Sequence, residues 1–251
     1  MTTPEVRICA LIPTYNNPLT LRAVVLAVQA HLPDVLVVDD GSGTEALEIA
    51  RQLEREQLAH VVYLPRNGGK GAAVKAGFLA AQQLGFTHAL QVDADGQHDL
   101  TAIPRFVQAA RERPEALILA RPIFAEGTPK LRRIARELTN LWVAIETRSR
   151  AIVDAMIGFR VYPVQQALAA QARGNRMDFD IEIAVRLVWL GVPVVNLPLD
   201  VRYFARDQGG VSHFRPWLDN VAITRLHTRL FLESLLPRQL FRQLPVLQDR
   251  R

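Results

Sequence analysis

The stretch Leu90-Gln91-Val92-Asp93-Ala94-Asp95-Gly96-Gln97-His98 sets two carboxylates two residues apart, then a glycine, an amide and an imidazole. Carboxylate and amide oxygens are hard ligands, suited to Mg²⁺ or Mn²⁺, and such ions commonly complete their shell with a substrate phosphate. Asp93, Asp95 and Gln97 are therefore the candidate metal ligands. Taken alone, Asp-x-Asp also reads as a solvated turn. Other polar groups point the same way. Tyr15, in Pro13–Pro18, can pack on a nucleobase, and Asp40, in Asp39-Asp40-Gly41-Ser42, can accept from a base or ribose. Gly68-Gly69-Lys70-Gly71 has the makings of a phosphate cradle, although it lacks the full P-loop pattern. Arg121, Arg202 and Arg206 can clamp phosphates. Asp180 and Glu182 open a helix and offer carboxylates for acid–base work.

These groups need a scaffold that brings them to one place. Apolar runs at 6–12, 35–38, 61–64, 89–92 and 116–120 predict short buried strands. Between them, helical spacing predicts helices over 19–31, 44–57 (Thr44 as N-cap), 72–84 and 101–112. Strand and helix alternating every 25 to 30 residues imply parallel βαβ units and a Rossmann-like, mostly parallel sheet. The polar loops then share the carboxyl edge of the sheet, where open α/β sheets bind ligands.

After Arg121 the alternation stops. Residues 130–150 predict a basic helix with Leu131, Ile134, Leu138, Leu141 and Ile145 in one apolar stripe. A turn and short strand cover 154–162, a helix runs from 177 to about 190, and strands at 194–197 and 199–203 flank Pro198. The tail from Phe214 to Leu236 predicts a helix whose apolar residues fall on two faces. From Arg202 onward nine arginines stand against four acids. The reading is one catalytic domain, residues 1–213, with a C-terminal helical appendage, 214–251.

Composition sets bounds on function. The chain has 251 residues, 49% hydrophobic and 22% charged, which is globular and not disordered. Its formal charge is +5, and only Lys70, Lys75 and Lys130 are lysines among 30 basic residues. The lone Cys9 fits a reducing compartment. The expectation is a cytoplasmic protein with no transmembrane helix and no leader.

In their order, Ile12-Pro13-Thr14-Tyr15-Asn16, Val37-Val38-Asp39-Asp40-Gly41-Ser42, Asn67-Gly68-Gly69-Lys70-Gly71 and Asp93-Ala94-Asp95-Gly96-Gln97-His98 resemble family 2 glycosyltransferases of the GT-A fold. Gly158-Phe159-Arg160, Phe179-Asp180-Ile181-Glu182-Ile183 and Tyr203…Arg206…Gly209-Gly210…Ser212 resemble the branch of dolichol- and polyprenyl-phosphate sugar synthases. The resemblance implies that Pro13, Tyr15, Val38 and Asp40 hold the nucleoside. It implies that Asp93, Ala94, Asp95 and Gln97 hold the metal and the sugar diphosphate. Lys70, Arg121 and Arg206 join the donor site, and Asp180 falls where many members place the general base. Asn17 stands where that branch usually has Glu, and His213 where it usually has Lys.

The implied activity is inverting transfer from a UDP- or GDP-sugar, with Mg²⁺ or Mn²⁺, to a lipid-linked acceptor, either a polyprenyl phosphate or a lipid hydroxyl. Expected partners are that donor, that acceptor and an anionic membrane surface, and not nucleic acid. A peripheral position at the inner face of the cytoplasmic membrane follows from the arginine-rich, apolar tail. Two other classes remain open. A nucleotidyltransferase normally carries a glycine-rich basic loop after its first strand, whereas Pro13–Pro18 has no basic residue. A non-catalytic nucleotide-sugar-binding scaffold would not need the carboxylates present here.

Overall fold

The computed structural model describes residues 5–124, 130–201 and 216–236. In chain order the elements are β1 (Ile8–Thr14), α1 (Leu21–Gln29), β2 (Val35–Asp39), α2 (Thr44–Arg55), β3 (His60–Tyr63), α3 (Lys70–Gln83) and β4 (His88–Gln91). A 3₁₀ turn at Leu100–Ala102 leads into α4 (Ile103–Glu112). Then come β5 (Leu117–Phe124), α5 (Lys130–Thr147), β6 (Arg160–Pro163), α6 (Val164–Ala169), α7 (Asp178–Trp189), β7 (Val194–Val201) and α8 (Pro216–Ser234).

The strands form one sheet in the order β3-β2-β1-β4-β6-β5-β7. β6 runs antiparallel to β4 and β5, and the other pairings are parallel. β1 is buried on both sides, as a central strand must be. Ile8, Ala10 and Ile12 pack with α1 and α4 residues such as Leu21, Val25 and Phe106, whereas Cys9 and Leu11 pack with Val74, Phe78 and Phe179 on the opposite face. Burial, with the charge of Asp34 adding to it, pushes the Cys9 thiol up to about 12, so it is a core residue with no chemistry near neutral pH. Because β6 alone is reversed, its first residue, Arg160, begins at the edge where β1, β2 and β4 end.

Several elements depart from the sequence reading. β1 extends to Thr14 because Pro13 and Thr14 pair with Val38 and Asp39, a contact no local pattern reveals. Gly43, not Thr44, caps α2. α3 begins at Lys70, two residues earlier than its apolar spacing suggests. The two strands around Pro198 are one strand, β7. It lies at the sheet edge, paired along its length with β5 and bridged at Val201 to His98, and an edge strand is where a proline is tolerated. The short helix α6 has too few turns to show periodicity.

The largest departure is α5. Its stripe of Ile134, Leu138, Leu141 and Ile145 faces outward, each between 44% and 60% exposed. Among its described side chains, Thr139, Val143, Glu146 and Thr147 are buried on its inner side. An amphipathic pattern reports that a helix has two faces, not which of them meets the core. α8 seats on α5 and α7, burying Leu226, His227 and Leu230. Among the described residues no helix is long and apolar enough to cross a membrane.

Candidate active site

Four loops converge at the carboxyl edge. Asn16, in left-handed backbone (φ 53°), donates its amide to Ser42 Oγ at 2.9 Å and accepts from the Gly43 amide through Oδ1 at 2.8 Å. This ties the loop after β1 to the loop after β2. Asp40 is 2% exposed and accepts from the amides of Gly68 (2.8 Å) and Gly69 (2.7 Å), one per carboxylate oxygen. Burial raises its pKa and the two amides pull it back. Asp40 therefore pins the glycine turn that delivers Lys70 to the head of α3.

That turn has no room to spare. A Cβ on Gly69, at φ +98°, would lie 2.4 Å from the Asn175 carbonyl oxygen, and one on Gly71 would lie 2.4 Å from Phe179 Cβ. Lys70 Nζ reaches Asp93 Oδ1 at 2.7 Å and Asp180 Oδ2 at 2.9 Å. Burial works to discharge this ammonium, but the charges of Asp180 and Asp93 outweigh it and raise its pKa. Asp93 feels the same balance from the other side. Burial pushes its carboxyl up, and Lys70 above all holds it below the usual carboxylate range. Asp93 also packs on backbone, since a Cβ on Gly158 would lie 2.2 Å from its Oδ2.

Asp180 is 2% exposed at the start of α7. Gln91 Nε2 donates to its Oδ1 at 3.4 Å, Tyr162 Oη donates to Gln91 Oε1 at 3.2 Å, and Arg160 Nη1 donates to its backbone carbonyl at 2.9 Å. Arg160, fully buried, also donates through Nε to the Ile157 carbonyl at 2.9 Å. The loop before Gly158 is held by Asp154, which accepts from the Met156 and Ile157 amides and pairs bidentately with Arg136 of α5 at 2.7 and 2.8 Å. Gln91, Gly158, Arg160 and Tyr162 are brought to the site by the fold and are not among the site residues expected from sequence. Their signal was a polar residue ending a buried strand and a Gly-Phe-Arg run just before another.

The loop after β4 carries the remaining candidate ligands. Asp95 Oδ1 accepts from the Gln97 amide at 3.0 Å. Burial first, then the Asp93 charge, raises the Asp95 carboxyl. His98 Nδ1 is buried without a hydrogen-bond partner, and burial lowers that imidazole's pKa against the pull of Asp93 and Asp95. Asp93 and Asp180 thus flank one ammonium, and Asp95 adds a third carboxylate that feels the charge of Asp93. The donor set suits a divalent ion, which would relieve this charge. Among the described residues no three His, Cys, Asp or Glu side chains form a complete cage, so substrate oxygens would have to finish the shell.

The other expected site residues are scattered more widely. Pro13 is buried in β1, and the Val38 side chain is in the core, 0% exposed. Tyr15 is half-buried beside Asn17, whose Nδ2 donates to the Tyr15 carbonyl at 3.2 Å. Ala94 is buried, its carbonyl accepting from Thr20 Oγ1 at 2.6 Å. Arg121 is exposed on β5 opposite Pro198. Arg202, Tyr203, Arg206, Ser212 and His213 lie outside the described residues. Glu182, offered as a second acid–base group, is fully buried and paired throughout, so it has no face for substrate.

Residues 9–165 match the model of glycosyl transferase family 2. The chain belongs to that family. Its sequence is 29% identical over 219 residues to the polyprenol monophosphomannose synthase of Mycolicibacterium smegmatis, spanning 83% of this chain and 81% of that one. It is 29% identical to the undecaprenyl-phosphate mannosyltransferase of Micrococcus luteus, spanning 77% and 82%. The glucosyl-3-phosphoglycerate synthase of Mycobacterium tuberculosis, solved with Mn²⁺, uridine diphosphate and glucosyl-3-phosphoglycerate, superposes with a TM-score of 0.67 at 16% identity, over 93% of this chain and 81% of that one. The fold is therefore GT-A, and the chain is a family 2 glycosyltransferase. Among the described residues this carboxyl edge gathers the paired carboxylates and the lysine at a helix head, which makes it the candidate reaction site of a family 2 enzyme.

Proposed function

We propose that this glycosyltransferase moves a sugar from a UDP- or GDP-sugar to the phosphate of a polyprenyl phosphate, with inversion at the anomeric carbon. The observation that carries this reading is Lys70, at the amino end of α3, bridging Asp93 and Asp180 beside Asp95. A helix head with a lysine is a ready anion site, and the carboxylates beside it suit a cation that travels with a diphosphate. The acceptor assignment is supported by the two relatives, whose names specify a polyprenol monophosphomannose product and an undecaprenyl-phosphate substrate.

In this reading Asp93, Asp95 and Gln97 hold Mg²⁺ or Mn²⁺, while Pro13, Tyr15, Val38, Asp40 and Ala94 border the nucleoside and sugar diphosphate. The metal would supply charge neutralisation of the departing diphosphate. Lys70 binds the same diphosphate, and Arg121 and Arg206 clamp donor or acceptor phosphate. A phosphate oxygen of the acceptor attacks C1. The C1–oxygen bond to the β-phosphate breaks, and nucleoside diphosphate leaves on the opposite face. The glycine turn and the Gln91–Tyr162–Arg160 network keep Lys70 and Asp180 in place, so little reorganisation is left for the reaction itself.

Incubation with a panel of UDP- and GDP-sugars, Mn²⁺ or Mg²⁺ and undecaprenyl phosphate tests the proposal. A sugar-phosphate-lipid product is expected, with none from undecaprenol. A product from the alcohol alone, or transfer to neither, refutes it.

The lipid acceptor gives the outward stripe of α5 a purpose. Trp142 of α5 meets Phe231 of α8 with ring centroids 6.1 Å apart, which joins that stripe to exposed Leu232, Leu235 and Leu236. Exposed Arg133, Arg148, Arg150 and Arg225 lie on the same two helices and the turn after α5. Apolar side chains rimmed by arginine suit an anionic leaflet, where each cation near the surface contributes about 1 kcal/mol. The catalytic domain, 1–213, would thus sit peripherally at the inner face of the cytoplasmic membrane, with α5 sharing the role of the 214–251 appendage. In a flotation assay the chain is expected to rise with anionic vesicles and not with neutral ones. Leu138→Glu/Leu141→Glu, both on the exposed face, is expected to stay at the bottom. Unchanged flotation of that variant would remove α5 from the contact.

A further inference from the structure

Glu182 lies two residues beyond Asp180 on α7 and is fully buried, yet the proposed reaction does not use it. Its Oε2 accepts from the amides of Arg173 (3.0 Å) and Gly174 (2.7 Å). Its Oε1 pairs with Arg186 Nε at 2.7 Å and with Arg229 Nη2 of α8 at 2.8 Å. Arg186 continues to Glu233 of α8 at 2.9 Å. Burial alone would raise this carboxyl, but Arg186 and the Gly174 amide hold it low, so the charge that organises the cluster is present at neutral pH.

The amides that Glu182 holds belong to the loop that presses on the glycine turn. The Asn175 carbonyl accepts from the Ala72 amide at 3.2 Å, and Asn175 Oδ1 accepts from Lys75 Nζ at 2.6 Å. The missing side chains of Gly69 and Gly71 are filled by Asn175, Gly174 and Phe179. Lys70 sits between those two glycines. A continuous set of contacts therefore runs from Arg229 on α8, through Glu182 and residues 173–175, to Lys70 and on to Asp93.

We propose that Glu182 is a positioning residue through which α8 holds the Gly69–Gly71 turn, and with it Lys70, against Asp93 and Asp180. Its contacts are to backbone amides and arginines, so it acts on the site through another group and does not touch substrate. The consequence for donor binding rests on the function proposed above, whereas the mechanical link does not.

Two readouts separate the two. Arg229→Ala alters a side chain that is one-third exposed and outside the donor site, and Glu182→Gln keeps the shape of the central carboxylate. In hydrogen exchange of the ligand-free chain, both variants are expected to speed exchange of the Gly68–Ala72 amides. Arg229→Lys should fall between them and the parent. In calorimetric titration with GDP and UDP plus Mn²⁺, both should bind the preferred nucleotide about tenfold more weakly, the size of effect typical of coupling through such networks. Faster exchange confined to α8 and residues 173–174, with the Gly68–Ala72 amides at the parental rate, overturns the proposal. So does a lowered unfolding midpoint with parental nucleotide affinity in the folded fraction. If the parent bound neither nucleotide, the donor assignment would fall and the exchange result would still decide the link.

Discussion

Asp95→Ala is expected to lower sugar transfer about 10³-fold or more while leaving the unfolding midpoint close to that of the parent. The structural cost is small because Asp95 is only half-buried and its visible task is one bond to the Gln97 amide. The functional cost is large because Asp95 is the carboxylate of the cluster that Lys70 does not directly pair. Its pKa is raised by burial and by Asp93, so a cation beside it would favour its charged form. A divalent ion at a leaving diphosphate contributes several kcal/mol to the transition state, which is where the factor comes from. Excess EDTA should reproduce the loss in the parent, and Mn²⁺ or Mg²⁺ should restore it. Gly158→Ala reaches the same cluster from behind, because its methyl would displace the Asp93 carboxylate. Parental turnover of Asp95→Ala in EDTA would refute the metal role.

Much of this site was legible in the sequence because strand ends carry local signals. Asp93 and Asp95 follow an apolar run, Lys70 follows two glycines, and Asp180 opens an apolar helix, so each could be placed on a loop at the sheet edge. What could not be read was which polar group meets which. Asp40 reads as a nucleoside ligand, and nothing local shows that its two oxygens also hold the Gly68 and Gly69 amides, 28 and 29 residues away. Glu182 looked like a second acid–base group, and it is consumed by α8, a partner that only tertiary packing supplies. The reversed β6 was equally hidden, because a four-residue strand carries no direction in its composition. α5 shows the limit of periodicity most directly. Spacing located its apolar face to the residue, and burial placed that face outside. The membrane contact proposed above would give that face a partner.

Asp180→Asn is expected to lower turnover with polyprenyl phosphate by about tenfold to 10²-fold without changing the shape of the pH profile. Near neutral pH a phosphate monoester already carries a free oxygen anion, so attack on C1 needs no proton removed. In the structure Asp180 is engaged by its neighbours. Its Oδ2 takes half of the Lys70 ammonium, its Oδ1 accepts from Gln91, and at 2% exposure it offers substrate almost no surface. The asparagine keeps the size and the Gln91 contact but removes the charge that centres Lys70 between two carboxylates. Lys70 then leans toward Asp93, which weakens both the diphosphate contact and the metal ligand. The expected signature is a fall in kcat with a rise in donor KM, at every pH alike. A general base would behave otherwise. Its loss costs 10² to 10⁴, leaves donor affinity intact, and removes the limb of the profile that reports the base's own titration. Measuring kcat and kcat/KM for parent and variant from about pH 5 to 9 decides between the two roles. A vanished acidic limb with unchanged donor KM would make Asp180 the base and point to a hydroxyl acceptor.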